Sequence, residues 1–164
     1  MPIDIPPLPP IPTGPDQVDQ EQVQESLGFV ESSGDHRAYN DSSYGPENPA
    51  LGKYQTLKTT AWEVLQRHGK PVPASINEYL NSPDTQEEVM DLLMGEYIEA
   101  ATNDTPENTP NRYKTILKKI AAQHYGGPGN MNLYDDKTPQ EGGYPSFYDY
   151  GEKFIVDYTS GRYN

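Results

Sequence analysis

The chain has 164 residues, of which 33% are hydrophobic, together with 17 prolines and 14 glycines, and this length fits one domain plus a tail. Its formal net charge of −13 argues against a nucleic-acid partner, because Lys and Arg must neutralise phosphates to give affinity for nucleic acid. The chain contains no cysteine, which excludes disulfides, thiolate metal sites and thiol nucleophiles. No apolar run approaches the ~20 residues that a membrane span requires, so none is expected.

Residues 1–16 form a proline-rich segment that is incompatible with a helix or a central strand. We expect an extended arm or linker, close to polyproline II, preceding one domain over residues 17–164. The first interpretation is a flexible leader, and the apolar side chains at positions 3, 5, 8 and 11 make an anchor strand the alternative. The segment has no basic flank and no apolar run, so a secretory signal is not expected.

The first helical pattern ends near Glu31. Val23, Leu27 and Val30 recur at the spacing of one helix face, and the Ser-Ser-Gly-Asp run that follows Glu31 interrupts this pattern. Residues 35–52 then contain turn residues without an apolar period, which predicts a long loop.

Further helices are predicted where apolar residues return at helical spacing. They cover about 56–68, about 75–80, a segment that begins at a capping box of Thr85 and Glu88, a segment from Pro110 to the glycine pair 126–127, and about 147–158. No strand pattern is convincing and no internal repeat is present. The predicted fold is therefore mainly α.

Three short motifs follow one another along the chain. They are residues 31–34 (ESSG), residues 50–55 (ALGKYQ) with Thr-Ala at 60–61, and residues 121–130 (AAQHYGGPGN). In order, spacing and helical context they resemble the motifs of lytic transglycosylases and goose-type lysozymes. Those motifs are a catalytic Glu-Ser followed by glycine, a Gly-Leu-Met-Gln motif often found as Gly-Lys-Tyr-Gln, and an Ala-Tyr-Asn-Ala-Gly-Pro-Gly motif. The resemblance covers about residues 21–160.

The resemblance implies a lysozyme-like helical domain of the transglycosylase SLT type, acting on bacterial peptidoglycan without a cofactor. It implies that Glu31 is the single catalytic acid/base. In this family the acetamido group of the substrate stabilises the oxocarbenium-like centre. The same glutamate then takes the proton of the C6 hydroxyl, which closes a 1,6-anhydro ring.

A physical argument for Glu31 stands beside the resemblance. Cleavage of a glycosidic bond needs a carboxylic acid that is still protonated near neutral pH. Burial in a partly apolar cleft raises the pKa of a carboxyl, and the partial negative charge of a helix C-terminus raises it further. Glu31 follows Phe29 and Val30 at such a terminus. The alternative is a solvated glutamate at a helix end.

The same resemblance places five further residues in the substrate groove: Gly52, Tyr54, Gln55, His124 and Tyr125. Gly52 would let the loop pass close to a sugar ring, Tyr54 would contribute its backbone carbonyl, and Gln55 would bind substrate. The alternatives are a core position for Tyr54, a helix N-terminus for Gln55, and a helix-terminal histidine favourably placed on the dipole for His124.

Two departures from the family pattern affect these expectations. His124-Tyr125 stands where the family has Tyr-Asn, so the tyrosine that contacts the catalytic glutamate is replaced by His124, or by Tyr125 if the helix is shifted by one residue. A charged histidine there would lower the pKa of Glu31. Pro46 and Pro49 precede the second motif where Ser and Gly are usual, and Lys53 within it is expected to point to solvent.

No metal site is predicted. The histidines, at positions 36, 68 and 124, lack ligand spacing, and residues 135–136 (DD) lack the alternation of a calcium loop. Asp35 is a candidate second carboxylate for a hydrolytic enzyme, with capping of the turn after Gly34 as its alternative role.

These observations predict a peptidoglycan lytic transglycosylase that cleaves between N-acetylmuramic acid and N-acetylglucosamine. The acidic surface and the Gly-Lys-Tyr-Gln form favour a bacteriophage virion component of the tail or internal core, with the proline-rich arm binding other virion proteins. The main alternative is a non-catalytic structural virion subunit with a degenerate lysozyme-like fold. A true hydrolase and a non-catalytic wall-binding module are further alternatives.

Overall fold

The computed structural model describes residues 18–160, and the chain over this range is mainly helical. The predicted extended arm of residues 1–16 lies outside the described residues. The α-helices of the described range are α1 (Gln20–Ser32), α2 (Lys58–Arg67), α3 (Ile76–Leu80), α4 (Pro83–Asn103), α5 (Arg112–Gly126) and α6 (Phe147–Ser160). Two 3₁₀ segments, Pro128–Leu133 and Glu141–Gly143, connect α5 to α6.

The prediction that the chain has no strands was wrong. Strands β1 (Tyr39–Asn40), β2 (Ala50–Leu51) and β3 (Thr56–Leu57) form a small antiparallel sheet in the order β1-β2-β3. Each strand has only two residues, which is too short for an alternating apolar pattern to appear in the sequence. The sheet takes the first two residues of the predicted second helix, so α2 begins at Lys58.

The starts of α4 and α5 differ from the prediction. The capping box predicted at Thr85 is wrong, since the N-cap of α4 is Ser82, whose side chain accepts a hydrogen bond from the Thr85 N–H. Pro83 then occupies the first turn, where its missing N–H costs nothing. The prediction that Pro110 begins α5 was also wrong, since Asn111 is its N-cap, with φ +51°.

The core lies where α4, α5 and α6 pack together, with α1 against α4 and α6 and α2 against α4. The largest fully buried side chains come from most of these elements: Leu27, Leu51, Tyr54, Leu65, Tyr79, Met90, Leu93, Met94, Ile98, Ile116, Ile120 and Phe154. The C-terminal ends of α1 and α5 and the middle of α6 are thereby brought together. Within residues 18–160, no helix is both long and apolar enough to cross a membrane.

Candidate functional site

Glu31 lies in the last turn of α1, as the sequence predicts. The helix ends because Ser33 adopts a left-handed conformation (φ 56°, ψ 29°), and its N–H donates to the Phe29 carbonyl oxygen at 3.0 Å. The N–H of Gly34 donates to the carbonyl oxygen of Gly28 at 3.2 Å, so the last carbonyls of the helix are satisfied by a glycine-type cap. The Glu31 side chain remains 19% exposed.

Two side chains from distant helices meet the Glu31 carboxyl. The hydroxyl of Tyr150, on α6, donates a hydrogen bond to Glu31 Oε1. The Nε2 atom of His124, near the end of α5, lies 3.8 Å from the same oxygen, and the His124 side chain is only 4% exposed. His124 is therefore placed beside the candidate acid, where the resemblance implies a tyrosine.

His124 also binds the turn between β2 and β3. Its Nε2 lies 2.8 Å from the backbone oxygen of Tyr54, and a carbonyl oxygen only accepts hydrogen bonds. Nε2 therefore carries the proton that binds the Tyr54 carbonyl, and the Glu31 carboxyl lies 3.8 Å away, beyond hydrogen-bond distance. The Tyr54 carbonyl thus lies at the site, as the resemblance implies, and the Tyr54 ring is in the core.

The pKa of Glu31 is raised above its ordinary value. Burial is the largest cause, because it disfavours the charged form. The charge of His124, the hydrogen bond from Tyr150 and the charge of Lys153 oppose this effect without reversing it. The arrangement is thus able to hold a proton on a partly accessible carboxyl, which is what a general acid requires.

Tyr125 stacks on Tyr150, the residue that donates a hydrogen bond to Glu31. The rings of Tyr125 and Tyr150 are stacked, with centroids 4.3 Å apart and planes 9° apart. The Tyr125 hydroxyl donates to the Pro145 carbonyl oxygen at 2.6 Å, and burial raises the pKa of Tyr125 to about 12. Both phenols therefore stay protonated near neutral pH and act as hydrogen-bond donors.

Position 52 requires glycine because a neighbouring side chain leaves no room for a Cβ atom. The reason predicted from sequence was instead the approach of a sugar ring. The φ of Gly52 is +75°, and a Cβ built on it would lie 2.2 Å from Gln86 Oε1. That oxygen accepts the Lys53 N–H at 3.0 Å. Gln55 lies in the turn and not at a helix N-terminus, and its φ is +49°. Its side-chain Nε2 donates to the Gly52 carbonyl oxygen at 3.0 Å.

Lys53 does not point to solvent, and that prediction was wrong. Its side chain is buried, and its ammonium group lies 2.7 Å from Glu25 Oε1 on α1 and 3.0 Å from Glu87 Oε1 on α4. The Lys53 carbonyl accepts the Ser32 hydroxyl at 2.6 Å. Lys53 therefore joins the turn to the helix that carries Glu31.

Tyr150 is the site residue that sequence analysis missed. With Phe147, Phe154 and Tyr158 it follows the apolar period of α6, and all four side chains are buried, so the pattern alone indicates a core aromatic. A buried tyrosine usually finds a hydrogen-bond partner for its hydroxyl. A tyrosine at a core position of the predicted helix therefore indicated a buried acceptor nearby. Which partner it finds depends on how α6 packs against α1.

Asp35 is exposed, and its carboxylate accepts the Arg37 N–H at 2.9 Å, which matches the predicted turn-capping role. Among residues 18–160, no group of three or more His, Asp or Glu side chains is arranged to hold a metal ion.

Comparison with known proteins gives no relatives. No protein-family model, curated protein or solved structure matches the chain.

Proposed function

We propose that this protein is a peptidoglycan lytic transglycosylase with a lysozyme-like fold. One observation carries the proposal: Glu31 stands at a helix end, and burial raises its pKa although Tyr150 and His124 lie beside the same carboxyl oxygen and favour the anion. Burial favours the protonated form of Glu31, while part of the side chain stays accessible. Resemblance in the three motifs of the chain supplies the substrate class.

In the first step, Glu31 donates its proton to the glycosidic oxygen between N-acetylmuramic acid and N-acetylglucosamine. The bond from C1 to that oxygen breaks, and the leaving sugar departs with a new hydroxyl. The acetamido group of the muramic acid residue stabilises the positive centre at C1. The hydrogen bond from the Tyr150 hydroxyl and the nearby charge of His124 then stabilise the Glu31 carboxylate that forms.

In the second step, the Glu31 carboxylate takes the proton of the C6 hydroxyl of the same sugar. The C6 oxygen bonds to C1, which closes a 1,6-anhydro ring and returns Glu31 to its acid form. No water is consumed, so the product is one water lighter than a hydrolytic product. Gln55, His124, Tyr125 and the Tyr54 carbonyl are proposed to contact the glycan, whereas Gly52 is buried against Gln86 and supports the turn.

The placement of the enzyme in a bacteriophage virion, in the tail or the internal core, belongs to the same proposal. The net charge of −13 disfavours free diffusion to an anionic cell wall, because like charges repel at long range. Delivery by a larger assembly removes this difficulty. The proline-rich arm is proposed to bind the neighbouring virion proteins.

Mass spectrometry of muropeptides tests the mechanism. Purified sacculi are incubated with the wild-type protein and with Glu31→Gln, which keeps the size and hydrogen-bonding capacity of the side chain but has no acidic proton. We expect anhydro products from the wild type and none from the variant. Products of hydrolytic mass would instead identify a lysozyme and require a second carboxylate, for which Asp35 is the candidate.

A structural virion subunit with a degenerate lysozyme-like fold is the second candidate function. The observation that favours it is His124, whose charge lowers the pKa of Glu31 and so weakens the acid. An absence of products with both proteins, on sacculi that a reference muramidase degrades, would support this candidate. Product formation that survives Glu31→Gln would exclude the mechanism proposed here.

A further inference from the structure

Three exposed tyrosines lie on two chain segments that are joined by hydrogen bonds. Tyr39 is 47% exposed, Tyr44 is 66% exposed and Tyr144 is 38% exposed. Tyr39 and Tyr44 belong to the loop that follows Glu31, and Tyr144 follows the 3₁₀ segment Glu141–Gly143. We call these three residues the tyrosine cluster.

Hydrogen bonds join the two loops of the tyrosine cluster. The Tyr144 hydroxyl lies 2.8 Å from the Ser42 hydroxyl, and it accepts a hydrogen bond from the Ser43 hydroxyl at 3.3 Å. Tyr44 directly follows this serine pair. The Tyr39 hydroxyl donates to Asp41 Oδ2 at 3.4 Å. The phenol of Tyr144 is therefore held in place before any ligand arrives, which reduces the entropy lost on binding.

A continuous series of contacts connects the tyrosine cluster to Glu31. Pro145, next to Tyr144, accepts the hydroxyl of Tyr125. Tyr125 stacks on Tyr150, and Tyr150 donates to the Glu31 carboxyl. On the other side, the chain runs from Glu31 through an exposed turn directly into the loop that carries Tyr39 and Tyr44.

The chemistry of the tyrosine cluster fits a carbohydrate. A sugar ring has a face of polarised C–H groups that packs on the negative face of an aromatic ring, while its hydroxyls need donors and acceptors at the rim. Ser42, Ser43 and the Asn40 side chain, whose oxygen accepts both the N–H and the hydroxyl of Ser42, provide such a rim. The other large exposed hydrophobic side chains among residues 18–160, Leu133 and Val156, belong to other segments of the chain.

We propose that Tyr39, Tyr44 and Tyr144 form a sugar-stacking surface that binds the glycan strand of peptidoglycan beyond the bond that Glu31 cleaves. This inference rests on the proposed function, since it names the part of the same substrate that occupies this surface. The surface holds several sugar rings away from the reacting pair and so keeps a long strand bound through the reaction.

Co-sedimentation with purified glycan strands, stripped of their stem peptides, tests this surface. All binding measurements use the Glu31→Gln protein as the parent, so that cleavage does not alter the ligand. The double variant Tyr44→Ala, Tyr144→Ala in this parent should bind about tenfold more weakly, equivalent to ~1.4 kcal/mol. Tyr144→Phe should lose less affinity, because it keeps the ring and loses only the hydroxyl that the serines hold.

Val156→Ala is the matched control, because it removes an exposed apolar side chain from α6 and should leave affinity unchanged. Equal affinity of the parent and the double variant would overturn the proposal, and would assign the tyrosine cluster to a protein partner. A parent that does not bind glycan would also overturn it. Tyrosine-dependent binding by the parent, combined with no cleavage by the wild type, would support the surface and reject only the catalytic function.

Discussion

At the scale of single residues, the carboxyl of Glu31 experiences opposing influences. Burial raises its pKa, whereas His124, Tyr150 and Lys153 favour the anion. A buried carboxyl with a raised pKa binds its proton more tightly in the folded than in the unfolded chain. Folding therefore becomes less favourable as the pH rises above the ordinary value of 4.5, and an ionised Glu31 costs stability.

We expect Glu31→Gln to stabilise the protein at alkaline pH but not in acid. The increase in the free energy of unfolding should be largest above the raised pKa of Glu31. It should vanish below the pKa of Glu31 in the unfolded chain, where the glutamate is neutral in both states. Thermal unfolding at pH 8 should show a midpoint higher by ~2–4 °C for each kcal/mol gained. Glu63→Gln, at an exposed position, removes the same charge and should change little at either pH. An equal gain at both pH values for Glu31→Gln would contradict this account.

His124 provides a second prediction at this scale. Because its charge lowers the pKa of Glu31, His124→Gln should raise that pKa while keeping an N–H for the Tyr54 carbonyl. In the proposed mechanism, muropeptide release requires protonated Glu31, so its rate should fall as the pH rises through that pKa. The alkaline limb of the pH–rate profile should therefore move to higher pH in the variant.

His68→Gln is the control for this measurement, since His68 is exposed and pairs with Glu96 at 3.1 Å. Its profile should coincide with that of the wild type. An alkaline limb that stays in place or moves to lower pH in His124→Gln would show that the histidine charge does not act on Glu31.

At the scale of elements, the turn between β2 and β3 is fastened to three helices. Lys53 binds Glu25 on α1 and Glu87 on α4, while the Tyr54 carbonyl binds His124 on α5. The Tyr54 hydroxyl also donates to Glu87 Oε2 at 2.6 Å. Through these bonds the turn fixes the relative positions of the helix ends that form the site.

We expect Lys53→Met to destabilise the protein by about 1–3 kcal/mol, because it leaves two carboxylates without their charged hydrogen-bond partner. Chemical denaturation measures this loss. Lys70→Met removes a lysine that pairs with Glu88 at an exposed position, and it should stay within ~0.5 kcal/mol of the wild type. Equal losses of unfolding free energy in the two variants would mean that the burial of Lys53 does not strengthen the contribution of its ion pairs to stability.

The helices were largely predictable because their signals are local. Val23 and Leu27 recur on one face of α1 and are fully buried, and the predicted last helix coincides with α6 to within two residues. The glycines after Tyr125 end α5 as expected. The sheet was missed, since two-residue strands carry no period and depend on the register between loop segments.

The environment of the site was only partly predictable, because it depends on contacts between distant segments. Glu31 and His124 could be located from motifs, but the burial of Lys53 results from two carboxylates that lie 28 and 34 residues away in sequence. A lysine is usually solvated unless such partners converge on it. Tyr150 was missed for the same reason, since its partner is 119 residues distant.

At the scale of the whole molecule, the proposed function predicts that net charge affects the rate of binding to the cell wall. The net charge of −13 should repel anionic sacculi over a Debye length, which falls from ~30 Å at 0.01 M salt to ~8 Å at 0.15 M. The association rate of Glu31→Gln with sacculi should therefore increase over this range of salt. Binding of neutral N-acetylglucosamine oligomers should remain constant, and a decrease for sacculi would indicate an attractive field instead.

Helix α6, which carries Tyr150, also bears on when the Glu31 carboxyl becomes buried. Glu31 is synthesised early, yet its hydroxyl partner follows 119 residues later, on the helix that also completes the core. A nascent or prematurely terminated chain therefore contains the glutamate in a solvated setting that does not hold its proton. If Glu31 acts as proposed, a chain that ends before α6 lacks the burial that raises the pKa of Glu31, and it should not cleave peptidoglycan.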